Sequence, residues 1–329
     1  MAGGRGHYLA RYLEPLRPWL DKPNVSEISV NLPGEIWVEA AGEPRARFEV
    51  EALSADLLAQ LARQIAANTD QLINEEKPLL SAALPDGERV QVVAPPAAPN
   101  GYALSIRKQV LRNLSLDDYA KQGAFQMTKT GKDMELDSSV KELRSCLDKN
   151  QIHEFLSLAV KYQQNMIISG GTSTGKTTFL NALLQEIPDD ERIITIEDTR
   201  EVNAPHGNQL NLIAAKGDQG KALVTIQDLL EASLRLRPDR IILGELRGKE
   251  AYTFLRAINT GHPGSISTLH ADSPAGAIEQ LSLMVLQANL GLSRDEIKDY
   301  VFNMIDIVIQ LKREGSRRYI SAIQYKHAA

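Results

Sequence analysis

Apolar positions recur along this chain in two rhythms. From about residue 151 short apolar runs alternate with stretches of helical period. The runs at 165–169, 192–196, 240–243 and 265–269 have strand length. The stretches 176–187, 225–236, 249–259 and 274–287 space their apolar residues at 3.6. That alternation predicts a mostly parallel sheet with helices on both faces. In "LSRDEIKDYV" a capping box, Ser293 with Glu296, opens one more helix. The closing stretch "DIVIQLKREGSRRYISAIQY" reads as a hairpin turning at Glu314-Gly315-Ser316.

The first 110 residues keep a different rhythm. In "SEISVNLPGEIWVE" Ile28 and Val30 alternate with polar neighbours, Pro33-Gly34 turns the chain, and Ile36 and Val38 alternate again. A helix is expected over 54–66 from Leu57, Leu58, Leu61 and Ile65. "ERVQVV" and "YALSIRK" give two more strands across the loop "APPAAPNG". The expectation is a small α+β domain over 1–110. Ahead of it, "HYLARYLEPLRPWL" sets Leu9, Leu13, Leu16 and Leu20 on one stripe, with Arg5, Arg11 and Arg17 interleaved. Such a stripe ordinarily packs on its own domain, and a basic amphipathic segment is also suited to a membrane surface. Residues 111–150 are polar and charged, a linker with short helices. Fully extended, those roughly 40 residues reach on the order of 130 Å, enough to place the first domain on a neighbouring subunit.

Composition narrows the class. The chain has 329 residues, 43% hydrophobic and 24% charged, with a formal charge of −5. This suits a soluble two-domain protein and argues against a general or sequence-specific nucleic-acid binder. The single cysteine, Cys146, cannot form an intramolecular disulfide. With no secretory signal or apolar run of about 18 residues, a cytoplasmic protein is expected.

The chemistry gathers where strands end. "IISGGTSTGKTTFLNALL" contains Gly170-x-x-x-x-Gly175-Lys176-Thr177, the phosphate-binding loop pattern, between an expected strand and an expected helix. Gly170, Gly171, Thr172, Ser173, Thr174 and Gly175 are small enough for backbone N–H groups to turn inward around phosphate oxygens. Lys176 supplies a charge to the β- and γ-phosphates. Thr177, followed by Thr178, offers a hydroxyl to Mg²⁺. "RIILGELR" puts Glu245 just past a buried strand, and "IITIEDTREV" puts Glu197 and Asp198 past another. Ligands of open parallel sheets bind at such ends. One carboxylate is expected to polarise water while another, Glu245 among them, holds the metal through its water shell. "GHPGSISTLHAD" ends a third strand at His270, a candidate contact for the γ-phosphate or water. His262, beside Pro263-Gly264, is expected in turn structure or an inter-subunit contact.

"GGTSTGKTT", "TIEDTREV", "RLRPDRIILGELRG" and "TGHPGSISTLHAD" resemble the Walker A, aspartate-box, Walker B and histidine-box motifs of the secretion ATPase superfamily. "EISVNLPGEIWVE" and "LPDGERVQVV" resemble the N-terminal domain of the VirB-type hexameric ATPases of bacterial type IV secretion. The resemblance spans nearly the whole chain, and only the linker, roughly 125–150, is unusually long for it. It implies a RecA-like P-loop ATPase domain over 151–329 behind the small α+β domain. It implies ATP and Mg²⁺ as cofactors, and a homohexamer peripheral at the cytoplasmic face of the inner membrane. Other type IV secretion ATPases and inner-membrane components are its implied partners. It further implies a nucleotide between the two domains, with Arg89 and Arg107 touching the terminal phosphate. The linker leaves open whether they serve their own subunit or a neighbour. Three other readings stay in view. A type II secretion or type IV pilus motor is disfavoured by the lack of a four-cysteine zinc insertion. A nucleotide-gated scaffold is disfavoured by Glu197, Glu245 and His270. A helicase is disfavoured by the acidic balance.

Overall fold

The computed structural model describes residues 5–109, 115–128, 137–215 and 221–328. The side chain of Arg5 and linker residues 110–114 and 129–136 fall outside that set. The chain opens with α1 (Arg5–Leu13) and α2 (Arg17–Leu20), joined by a 3-10 turn at Glu14–Leu16 where Pro15 breaks the helix. Then come β1 (Val25–Val30), β2 (Glu35–Ala40), β3 (Ala46–Glu49), α3 (Ala55–Asn68), β4 (Leu79–Ala83), β5 (Arg89–Val93) and β6 (Ala103–Arg107). The six strands form one antiparallel sheet in the order β3-β2-β1-β6-β5-β4. Ser54 caps α3 by accepting from the N–H of Leu57, which fixes where the helix begins.

Leu9, Leu13, Leu16 and Leu20 are all buried in the core of this first domain, with Leu58, Leu61 and Ile65 of α3. Burial of one such side chain stabilises by about 1.5–3 kcal/mol. The stripe is therefore committed to its own domain and is not the surface that would rest on a membrane.

Two linker segments are helical, α4 (Leu116–Lys121) and α5 (Ser138–Asp148). α4 buries no residue, whereas α5 packs against α6 (Ile152–Lys161) and buries Leu143 and Cys146 in the second domain's core. Structure belonging to the second domain thus begins before residue 151. It continues through β7 (Met166–Gly170), α7 (Lys176–Leu184), β8 (Ile193–Glu197), β9 (Gln209–Ile213), α8 (Ile226–Ser233), β10 (Arg240–Leu243), α9 (Glu250–Asn259), β11 (Ile266–Leu269), α10 (Pro274–Leu286), α11 (Arg294–Met304), β12 (Ile307–Glu314) and β13 (Arg317–Tyr325). Its sheet runs β13-β12-β7-β11-β10-β8-β9. All neighbours are parallel except the closing hairpin β12–β13. The expected parallel α/β sheet is present, and β7, β8, β10 and β11 are buried throughout, as strands covered on both faces must be.

The two domains share a core. Val93, Ala97, Ala98 and Ala103 of the first pack in one cluster with Leu210 and Leu212 of β9. The N–H of Ile213 donates to the carbonyl of Ala97 at 2.8 Å, so the first domain covers the β9 edge. Arg45 pairs with Asp239 at 2.5 Å, Arg237 with Glu39 at 3.0 Å, and buried Asn31 donates to Asn208 at 2.9 Å.

Candidate active site

The strand ends of the parallel sheet converge on the loop between β7 and α7. The loop needs unusual backbone, and its residues supply it: Ser173 has φ 60 and Gly175 φ 89. At Gly170 an added Cβ would stand 2.6 Å from Thr174 Oγ1 and 2.9 Å from the Leu311 carbonyl of neighbouring β12. Thr174 Oγ1 donates to the carbonyl of Gly171 at 2.9 Å and pins the turn. The loop runs directly into α7, whose first N–H groups have no acceptor within the helix. Orphaned donors at a helix N-terminus suit an oxyanion.

Lys176 opens α7, and its ammonium bends back over the loop. Nζ donates to the carbonyls of Gly170 at 3.0 Å and Gly171 at 3.2 Å, and lies 3.4 Å from His270 Nε2. Burial pulls its pKa below the ordinary lysine value, the charge of Glu245 acting against that. Thr172, Ser173 and Thr178 are exposed at the rim.

β10 and β11 deliver the acid and the imidazole. Gly244 follows β10 because a side chain there would crowd Glu197, whose Cγ is 3.1 Å from the Cβ position. The carbonyl of Gly244 accepts from Thr268 Oγ1 at 2.8 Å, and Leu246 N–H donates to the Thr268 carbonyl at 2.9 Å. These bonds hold Glu245 beside His270. Glu245 Oε1 lies 2.9 Å from His270 Nε2, while Oε2 accepts from Arg247 at 2.5 and 2.9 Å. Arg247 also reaches Asp198 at 2.9 Å. The bond to Glu245, followed by nearby charge, raises the pKa of Arg247 against the cost of burial. Lys176, His270, Glu245, Arg247 and Asp198 thus form one chain of contacts across three strand ends.

Other expected residues stand elsewhere. Glu197 is turned inward: Oε1 accepts the N–H groups of Glu201 at 2.9 Å and Val202 at 2.8 Å, and Oε2 is buried with no hydrogen-bond partner among the described residues. Thr177 Oγ1 donates to Glu201 at 3.2 Å and not to Glu245, the acid expected beside it. Arg89 and Arg107 are cross-strand partners that line a cavity of about 530 Å³ with Arg235 and Arg237. Arg235 and Arg237 precede β10, so this cavity lies at the sheet edge where parallel strands begin. The loop stands where they end. Within one chain the arginines are not brought to the loop. His262 donates through Nδ1 to the Pro238 carbonyl at 2.9 Å and is turn structure, its pKa lowered by burial.

Three residues with no expected role stand at the site. Arg247 and Glu201 lie inside the quoted motifs, two residues past Glu245 and four past Glu197, and their spacing was their signal. Arg318 carries none. It comes from β13, its Nε donates to the Ser173 carbonyl at 3.1 Å, and its Cδ lies 3.1 Å from the Cβ position of Gly175.

A parallel sheet carrying a phosphate loop at one strand end and acid and imidazole at the next two defines a P-loop nucleotide-binding protein. The family described as "Type II/IV secretion system protein" matches residues 10–317, and the chain belongs to it. It is 40% identical over 326 residues to the type IV secretion system protein VirB11 of Bartonella henselae, covering 95% of this chain and 91% of that one. It is 40% identical over 328 residues to the type IV secretion system protein PtlH of Bordetella pertussis, covering 96% and 94%. The crystal structure of the VirB11 ATPase from the Brucella suis type IV secretion system, in complex with sulphate, superposes with a TM-score of 0.90. That match has 38% identity and covers 96% of this chain and 97% of that one.

Proposed function

We propose that the chain hydrolyses ATP with Mg²⁺ as a ring of six copies and that the ring powers type IV secretion, whether pilus biogenesis or transfer of DNA or protein. The observation that carries this reading is the loop itself, with Lys176, His270 and Glu245 in contact above it. Relatives named as type IV secretion proteins at 40% identity over nearly the full chain support the biological setting. Among the described residues no helix is long and apolar enough to cross a membrane. This agrees with a peripheral place at the inner membrane, reached through the other secretion ATPases and membrane components.

Bound Mg²⁺ supplies positive charge against the phosphates. Thr177 is the residue that would hold it. The chain's own groups do the rest. Lys176 exchanges the carbonyls of Gly170 and Gly171 for the β- and γ-phosphates. The N–H groups of Ser173, Thr174 and Gly175 donate to phosphate oxygens. Glu245, oriented by His270 and Arg247, accepts the proton of the attacking water. Arg89 and Arg107 serve the terminal phosphate of a nucleotide held by a neighbouring subunit, because their own loop is at the other edge of the sheet.

Two substitutions test the reading. Lys176→Gln is expected to lower phosphate release about a hundredfold. Glu245→Gln is expected to keep ADP binding while turnover falls by about a hundredfold or more. Wild-type turnover in Lys176→Gln would refute the loop assignment. A wild-type chain that binds ATP without releasing phosphate would favour the scaffold. Sedimentation with and without ATP and Mg²⁺ checks the hexamer.

A further inference from the structure

The carboxylate that faces the hydroxyl of Thr177 is Glu201. Its place is set by the segment after β8, which folds back over α7 and is tied down on two sides. Glu197 Oε1 accepts the N–H groups of Glu201 and Val202 at 2.9 and 2.8 Å. Asn181 of α7 donates to the Glu201 carbonyl at 3.1 Å and accepts the N–H of Asn203 at 2.9 Å. The backbone on both sides of Glu201 is therefore held, and its Oε2 is delivered 3.2 Å from Thr177 Oγ1. Glu197, the acid that the motif offers, faces into the protein and gives its oxygen to this loop. Glu245 has one oxygen on His270 and the other on Arg247.

Thr177 is the position at which a phosphate loop presents a hydroxyl to a divalent cation. A carboxylate fixed against that hydroxyl confronts the phosphates of a bound nucleotide with charge of the same sign. Two such anions a few ångströms apart repel unless a cation lies between them. We propose that Glu201 holds the water shell of the divalent cation at Thr177, with Glu197 as its positioning residue, so that nucleotide binding depends on the metal. The proposal rests on the reading of residues 170–177 as a nucleotide site.

The test measures binding and needs no turnover. ADP affinity is determined by calorimetry in EDTA and in Mg²⁺. The Mn²⁺ affinity of the ADP complex is determined by electron paramagnetic resonance. Wild type, Glu201→Gln and Glu201→Ala are compared, with thermal unfolding as the check on folding. Glu201→Gln is expected to bind ADP in EDTA as well as wild type or better. Its ADP complex is expected to hold Mn²⁺ about tenfold or more weakly, the loss typical of an outer-shell ligand, with an unchanged Tm. Mn²⁺ affinity within about twofold of wild type in both variants would overturn the assignment. A folded wild type that binds no ADP in either condition would remove the nucleotide-site reading, and this proposal with it.

Discussion

Glu197 is an acid at a strand end whose ionisation is opposed by its surroundings. Burial raises its pKa above the ordinary 4.5, and the N–H groups of Glu201 and Val202 only partly counter this. A raised native pKa means that the folded chain holds the proton more tightly than the unfolded chain. The resulting stabilisation is complete below the unfolded value and is lost as pH rises through the folded value. Glu197→Gln keeps the accepting oxygen and cannot ionise. Its Tm is expected to lack the decline that wild type shows from about pH 4.5 upward, and to equal or exceed wild type at pH 7. Thermal unfolding across that range measures it, and an unaltered slope in the variant would contradict the account. Lys176, Thr177 and Glu245 were legible from the sequence because loop, lysine and strand-end acid are local pattern. The inward turn of Glu197 was not, since it depends on where residues 201 and 202 return.

At the scale of elements the same division holds. β7, β8, β10 and β11 announce themselves as short apolar runs, and Ser54, Ser273 and Ser293 each cap the helix that follows them. β9 escapes the pattern because Asn211 is buried in mid-strand, satisfied by Thr195 Oγ1 at 2.8 Å and by Gln209 at 2.7 Å. β4, "LLSAA", carries weak strand formers, and β3 is an exposed edge. The hairpin is visible in sequence but its neighbour is not. Only the pairing of β12 with β7, Leu311 opposite Gly170, lays β13 beside the phosphate loop. Arg318 is thereby placed with Nε on the Ser173 carbonyl. Its two terminal nitrogens have no partner among the described residues and carry a positive charge beside the phosphate position. Arg318→Ala is expected to raise KM for ATP and Kd for ADP about five- to tenfold with kcat little changed, the loss of one charge-assisted hydrogen bond. Steady-state kinetics with a nucleotide titration decide it; unchanged affinity for both nucleotides would leave the arginine a loop support only.

The whole molecule poses a problem of reach. Its first domain covers the β9 edge and the side of the sheet where parallel strands begin, sharing a core through Val93, Ala97 and Leu212. Arg45, Asp239, Arg237 and Glu39 add ion pairs across the same boundary. Such a junction moves as a unit more readily than it opens, so Arg89 and Arg107 are fixed on the far side from their own loop. Arg89 and Arg107 then meet a nucleotide only if another subunit brings one to the cavity of about 530 Å³ that they line with Glu27, Arg235 and Arg237, the last paired with Glu39. The proposed ring, if built from head-to-tail contacts, would do this at every interface. The consequence is complementation. On the proposed trans reading, Lys176→Gln spoils the loop of the subunit that carries it, and Arg107→Ala spoils the site of its neighbour. Each variant alone is expected to lose phosphate release by about a hundredfold or more. Mixed in equal amounts before assembly, random pairing restores about a quarter of the interfaces, each with an intact loop facing an intact arginine. Phosphate release in the mixture is then expected to climb far above either parent. Activity that stays at the parental level, in rings shown by native mass spectrometry to be mixed, would mean that each protomer completes its own site and that the domain junction seen here opens to allow it.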